Sequence, residues 1–281
     1  MNYHLHENGW TVILDDFNFK EATQEDINQI AKLIANYTVV VAKNQSLTLE
    51  DEIKIARMFK NPEPLVTPTD APFQDVALDP EGLVLRVTAA KNERGQSGVG
   101  ANPEHFDWHA NKIWDKNRLP IIWLYSVKGS KGSITSYSNT IPAWQDLDPI
   151  LKDQLRNLRM QFIPVTTVSH DIPESWRKSM EENWQPNLFH TNIAGKEGLF
   201  FPYLDVQNFL GMTEEESRII FKKLSDYLLQ EKYVYHHHWD DGDVVIAEQW
   251  LGLHKRWKFD RLEERLLHRI ATGFPDQDYT V

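Results

Sequence analysis

Hydrophobic positions along the chain follow two periods. Ile27, Ile30, Leu33 and Ile34 recur at helical spacing behind Thr23-Gln24-Glu25-Asp26, a capping-box pattern, and predict a helix ending near Asn36. A second helix is predicted from Thr48, with Asp51 three residues on, through Ile53, Ala56 and Met58-Phe59, stopped by Asn61-Pro62-Glu63-Pro64. Thr213-Glu214-Glu215-Glu216 caps another, with Ile220, Leu224, Tyr227 and Leu228 on its apolar side. Pro142 opens a further helix, and residues 147 to 160 keep a helical pattern.

The remaining apolar runs are short and rich in β-branched and aromatic residues, which predicts strands. They fall at residues 9–14, 38–41, 83–88, 121–127, 134–137, 161–165, 233–239, 244–247 and 266–274, with a hairpin over 190–201 around Gly195-Lys196-Glu197-Gly198. Many short strands following two early helices predict a mainly β core with flanking helices, as a single domain over residues 1–281. Residues 60–102 and 168–187, with prolines, glycines and little periodicity, read as lid or insert segments around a site.

Composition narrows the chemistry. An apolar content of 41% supports a sizeable core, and a formal net charge of −11 argues against nucleic acid or an anionic membrane as a partner. The absence of cysteine excludes disulfides, thiolate metal sites and cysteine nucleophiles, so any metal must use His, Asp, Glu, Asn or water. The first eight residues lack a basic and an apolar region, and no run approaches the roughly 20 apolar residues that span a bilayer, so a cytoplasmic location is expected.

Against that background Glu104-His105-Phe106-Asp107-Trp108-His109-Ala110-Asn111 stands out. If extended, it projects positions 105, 107, 109 and 111 from one face, four polar groups suited to a metal, although a solvated strand face has the same pattern. A second anchor is distant: Asp241-Gly242-Asp243, the run to Glu248-Gln249-Trp250, then His254, with Arg265 eleven residues on and Arg269 four further.

Taken together, these segments resemble the taurine dioxygenase (TauD/TfdA) family of Fe(II)- and 2-oxoglutarate-dependent oxygenases. Trp108-His109-Ala110-Asn111 matches the family's Trp-His-x-Asp, and Gly242-Asp243, His254 and Arg265 follow in the family's order and spacing. Gly132-Ser133-Ile134-Thr135 matches its Gly-Gly-x-Thr turn, and residues 39–48 and 190–198 match two further segments, so the resemblance covers nearly the whole chain. It implies a double-stranded β-helix (jelly roll) fold, Fe(II) held by His109 and His254, 2-oxoglutarate anchored by Arg265 and Thr135, O2 as the oxidant and a small organic substrate. Arg269 matches a position able to contact an anionic substrate. Family members often pair, which leaves a homo-oligomer open.

One residue departs from the pattern. Asn111 stands where the family has Asp, and a neutral amide is the weaker donor. Asn111 as ligand, a water in its place, or Asp107 from the same face all remain open as the third metal position. Related halogenases also lack this carboxylate but usually carry a smaller residue there, so halogenation stands below hydroxylation as an outcome. A silent binding protein of the same fold, or another metal enzyme built on the His-rich strands, are the competing classes. His236-His237-His238 cannot converge on one ion because consecutive strand residues face opposite ways. His268 reads as a structural histidine, Glu248 as a structural hydrogen-bonding acid, and His105 as a residue near the site or in solvent.

Overall fold

The computed structural model describes residues 1–60, 62, 77–93, 95, 97–102, 104–111, 113, 118–162, 185–202 and 206–280. Of the two segments expected from sequence, residues 61, 63–76, 94 and 96 of 60–102 and residues 168–184 of 168–187 therefore lie outside the described residues.

Fifteen strands and five α-helices are present among the described residues. The strands are β1 (Asn2–Leu5), β2 (Thr11–Asp15), β3 (Val39–Ala42), β4 (Leu85–Val87), β5 (Phe106–His109), β6 (Ile121–Lys128), β7 (Ile134–Asn139) and β8 (Met160–Phe162). They continue as β9 (Phe189–Thr191), β10 (Glu197–Leu199), β11 (Val206–Phe209), β12 (Val234–His238), β13 (Val244–Glu248), β14 (Gly252–Arg256) and β15 (Leu266–Thr272). The helices are α1 (Gln24–Tyr37), α2 (Leu49–Phe59), α3 (Thr140–Asp146), α4 (Pro149–Arg156) and α5 (Glu214–Leu228).

A seven-stranded sheet runs β1-β2-β3-β13-β6-β15-β4, antiparallel except for β2 against β3. A four-stranded antiparallel sheet runs β12-β7-β14-β5. The alternation of strand residues explains how they are layered. Val40, Ile246, Trp123 and Ile270 share one apolar cluster with Ile27, Ile30 and Ile34 of α1 and Ile55 of α2, so both helices cover that face of the large sheet. Val39, Val41, Ile122, Leu124, Val245 and Leu267 turn the other way and pack with Tyr137, Tyr235 and Trp239 of the small sheet's side. This is a β-sandwich closed as a jelly roll, the architecture expected from sequence.

The three capping boxes form as expected, Thr23 with Asp26, Thr48 with Asp51 and Thr213 with Glu216. The helical stretch from 142 to 160 differs. It begins earlier, capped by Asn139, and breaks at Leu147. Asp148 then caps a new helix with Pro149 in its first turn, where a missing N–H costs nothing. The stretch ends in strand β8 from Met160. Three strands, β1, β11 and β14, are additions to the sequence expectation: β1 is a short strand at a sheet edge, β11 belongs to a two-stranded pair, and β14 lies inside the four-stranded sheet.

Gly242 shows why the turn before β13 needs glycine. Its φ is +89°, and a Cβ there would stand 2.8 Å from the backbone oxygen of Gln45. The close approach is a hydrogen-bonded splice: Gln45 N–H donates to Gly242 O, and Gly242 N–H to Ser126 O.

Candidate metal and cosubstrate site

Strand β5 pairs with β14, and in that register His109 lies directly opposite His254. Their ring centroids are 4.1 Å apart, and both rings are buried. The strand stops at His109 and its pairing shifts between Phe106 and His109, so residues 105, 107, 109 and 111 do not form the single flat face the sequence suggested. Asn111 follows in a turn and still reaches the pair, its Nδ2 3.4 Å from His254 Nε2.

Asp107 goes elsewhere. Its carboxylate sits 3.1 Å from Lys255 Nζ and accepts from the Trp108 backbone N–H. Lys255 neighbours His254 on β14 and points to the opposite face. Among the described residues no three His, Asp or Glu side chains are grouped closely enough to hold a metal. The groups that converge are two imidazoles and one amide.

His109 Nδ1 lies 2.6 Å from the Asp107 carbonyl oxygen. A carbonyl only accepts, so Nδ1 carries the proton and Nε2 keeps its lone pair free. Burial, together with the positive fields of Arg269 and Arg256, lowers the His109 pKa to about 4. Burial likewise drives His254 well below the usual histidine value, with His109 and Arg269 adding to it. Both rings are neutral at physiological pH, the form in which imidazole binds a cation.

Arg265 is the second element. It is 2% exposed, immediately before β15 rather than on it, and no described group hydrogen-bonds or ion-pairs with its guanidinium. Burial first, and Arg256 second, lower its pKa to about 9, which leaves it cationic. Arg269 on β15 is similar: its Nε is buried without a partner, and burial lowers its pKa to about 10. Strand alternation turns Arg269 and Leu267 toward the small sheet, while His268 faces α2. A buried unpaired guanidinium is costly unless an anion completes it. The arrangement therefore fits a carboxylate ligand, and the neutral His109–His254 pair beside it fits a divalent cation.

Thr135 is 3% exposed on β7, and its hydroxyl accepts from Trp239 Nε1 at 2.9 Å, which leaves the hydroxyl proton available. Tyr137, two residues on and on the same face, stacks with His254 at 6.2 Å between ring centroids. Its hydroxyl is buried without a partner, burial raises its pKa, and Arg265 acts on it in the opposite direction. Tyr137 gave no sequence signal, since an aromatic in a strand is ordinary core. Arg256 was also missed. It is 6% exposed, two residues past His254, and donates to the backbone oxygens of Asn102, Glu104 and Trp257.

The other sequence candidates have structural roles. Glu248 accepts from the Trp250 and Leu251 backbone N–H groups, and burial raises its pKa to about 7. His268 Nδ1 meets Glu52 at 2.6 Å. His236 and His237 turn to opposite sides, toward Ser136 with Glu231 and toward Asp243 with Tyr235. His105 is exposed.

A jelly roll with two facing histidines and a buried arginine that has no partner among the described residues fits a 2-oxoglutarate-dependent dioxygenase, the class to which comparison with known proteins assigns the chain. The chain belongs to the taurine catabolism dioxygenase TauD, TfdA family, whose pattern matches residues 4–271. It is 24% identical over 277 residues to the alpha-ketoglutarate-dependent 2,4-dichlorophenoxyacetate dioxygenase of Cupriavidus pinatubonensis, covering 92% of this chain and 93% of that protein. It is 23% identical over 220 residues to pentalenolactone F synthase of Streptomyces avermitilis, covering 69% of each. In fold it is similar to AAD-2, solved with Mn(II) and N-oxalylglycine, at a TM-score of 0.76 and 15% identity over 98% of this chain and 99% of that one. A taurine dioxygenase from Burkholderia xenovorans gives a TM-score of 0.73 at 18% identity over 94% and 86%. No helix among the described residues is long and apolar enough to cross a membrane.

Proposed function

We propose that the enzyme holds Fe(II) through His109 and His254, with Asn111 at the third position, and uses 2-oxoglutarate to hydroxylate a small organic substrate. Arg265 carries this reading: a buried guanidinium with no partner among the described residues, in a chain of net charge −11, calls for a carboxylate ligand. Arg265 and the Thr135 hydroxyl would grip the cosubstrate's far carboxylate, a planar fork matched to a planar anion. The chemistry that a bound Fe(II) supplies is O2 activation coupled to oxidative decarboxylation of 2-oxoglutarate to succinate and CO2.

The chain's own contribution is orientation and exclusion of water. The Asp107 carbonyl holds His109 in one tautomer. Tyr137 stacks behind His254. Arg269, turned toward the same interior, would receive an anionic group of the substrate. Two relatives are named for 2,4-dichlorophenoxyacetate and (S)-phenoxypropionate, both carboxylates, which supports an acidic substrate here. Asn111 and its hydrogen bonds fill the third position with a side chain, which speaks for hydroxylation over halogenation.

The test is succinate release from 2-oxoglutarate on addition of Fe(II) under air, with and without candidate carboxylates, in the wild type and in Arg265→Ala. Turnover that falls in the variant supports the reading. Absence of both turnover and metal uptake in the wild type would point instead to a silent binding protein.

A further inference from the structure

Gln249 follows β13 and is 2% exposed, yet every one of its polar atoms is assigned. Its backbone N–H donates to Pro120 O at 2.8 Å, and its backbone oxygen accepts from Arg118 Nη2 at 2.8 Å. Its side-chain Nε2 faces Leu119 O at 3.4 Å. Its Oε1 receives two hydrogen bonds from Asn111, from the backbone N–H at 2.9 Å and from Nδ2 at 2.8 Å.

Two of these partners are backbone groups whose character no side-chain chemistry can change. A peptide N–H only donates, and a peptide carbonyl only accepts. Together they fix which end of the Gln249 amide is oxygen, because the flipped amide would oppose donor to donor at Asn111 and acceptor to acceptor at Leu119. Gln249 in turn dictates its neighbour: the Asn111 atom facing Oε1 must be a donor. That atom is Nδ2, and Asn111 Oδ1 accepts no hydrogen bond among the described residues. The backbone behind the pair is held firmly, since the Arg118 guanidinium lies 4.1 Å from the ring centroids of both Phe200 and Trp250.

We propose that Gln249 is a positioning residue that makes position 111 selective for an amide: Gln249 Oε1 holds Asn111 Nδ2, which also lies 3.4 Å from His254 Nε2, and Oδ1 is left as the one lone-pair atom Asn111 can offer a metal. The metal role rests on the function proposed above; the amide selectivity does not. An aspartate at 111 would place a carboxylate oxygen against Gln249 Oε1, two acceptors in a buried setting with no proton between them. The missing carboxylate is thus one half of a matched pair, and restoring it alone does not restore a two-histidine, one-carboxylate site.

The experiment compares wild type, Asn111→Asp, Gln249→Leu and the double variant, by thermal unfolding of the metal-free proteins and by Mn(II) titration followed by electron paramagnetic resonance. Each single substitution should lower Tm, and the double should lose clearly less than the two losses combined. Gln249→Leu should weaken Mn(II) binding by about tenfold or more, as loss of an orienting partner does, and the double variant should bind Mn(II) more tightly than Asn111→Asp. A side-chain 15N spectrum covers the case in which Asn111→Asp does not fold. One Asn111 amide proton should exchange slowly in the wild type and rapidly in Gln249→Leu. Additive Tm losses, an Asn111→Asp protein as stable as wild type, or unchanged amide exchange overturns the proposal. A wild type that takes up no Mn(II) but keeps the Tm coupling overturns the metal reading alone.

Discussion

His254 on β14 is the direct cross-strand partner of His109 on β5, with ring centroids 4.1 Å apart and the Nε2 of His109 left free by the Asp107 carbonyl. Two neutral imidazoles held so by backbone pairing would form the preorganised chelate of the proposed metal site. His109→Ala and His254→Ala should each reduce Mn(II) affinity by more than about tenfold, comparable to or beyond the loss from disturbing an orienting partner. Titration monitored by electron paramagnetic resonance checks this, with circular dichroism confirming that the sheets persist.

Arg265→Met should have effects of opposite sign on folding and binding. Without ligand the wild type buries a cation that has no partner among the described residues, so the apolar variant should be as stable or more so in a thermal melt. Its affinity for 2-oxoglutarate should fall by roughly 30-fold or more, the usual scale for removing one partner of a buried charge pair, about 2 kcal/mol at least. Calorimetric titration of the metal-loaded protein reads the second effect.

Glu248 makes stability depend on pH. Its folded-state pKa is raised from 4.5 to about 7 by burial, so between those values the folded protein binds more protons than the unfolded chain. Stability contributed by this group is therefore present at low pH and declines as pH rises from about 5 to 8, by roughly 3 kcal/mol in all. Melts across that range should show the wild type losing ground relative to Glu248→Gln as pH increases.

His268 ties β15 to α2 through Glu52, whose carboxyl is fully buried and has its pKa raised chiefly by that burial. His268→Ala should destabilise the fold by roughly 3 kcal/mol, the cost of orphaning a buried charge. The deficit should be smaller at pH 5 than at pH 8, because protonation relieves the stranded carboxylate. Affinity for 2-oxoglutarate should be unchanged, which distinguishes this histidine from His109 and His254.

The local parts of the fold were legible in the chain. Thr23 with Asp26 and Thr213 with Glu216 lie within one helical turn, so each cap is written in adjacent residues. The spacing of His254 and Arg265 was readable for a similar reason, being set by β14 and the connection to β15. Asn111 was recognisable as a departure, but its partner was not. Gln249, just past β13 of the large sheet, meets Asn111, just past β5 of the small sheet, and a glutamine after a buried strand carries no mark of that. Asp107 was misplaced by assuming continuous strand parity, which the shift in β5–β14 pairing breaks. Arg256 could have been found, since it shares the parity of His254 on the same strand.

The pairing of β5 with β14 also carries a consequence for synthesis. Both halves of the site meet only after most of the chain exists, and β15, which brings Arg269, is inserted between β6 and β4 in the large sheet. Contacts so distant in sequence form late and slowly. In the proposed site, a chain cut short before β14 would carry His109 without its facing partner His254, so the metal-binding pair would be complete only once the chain has been made past residue 254.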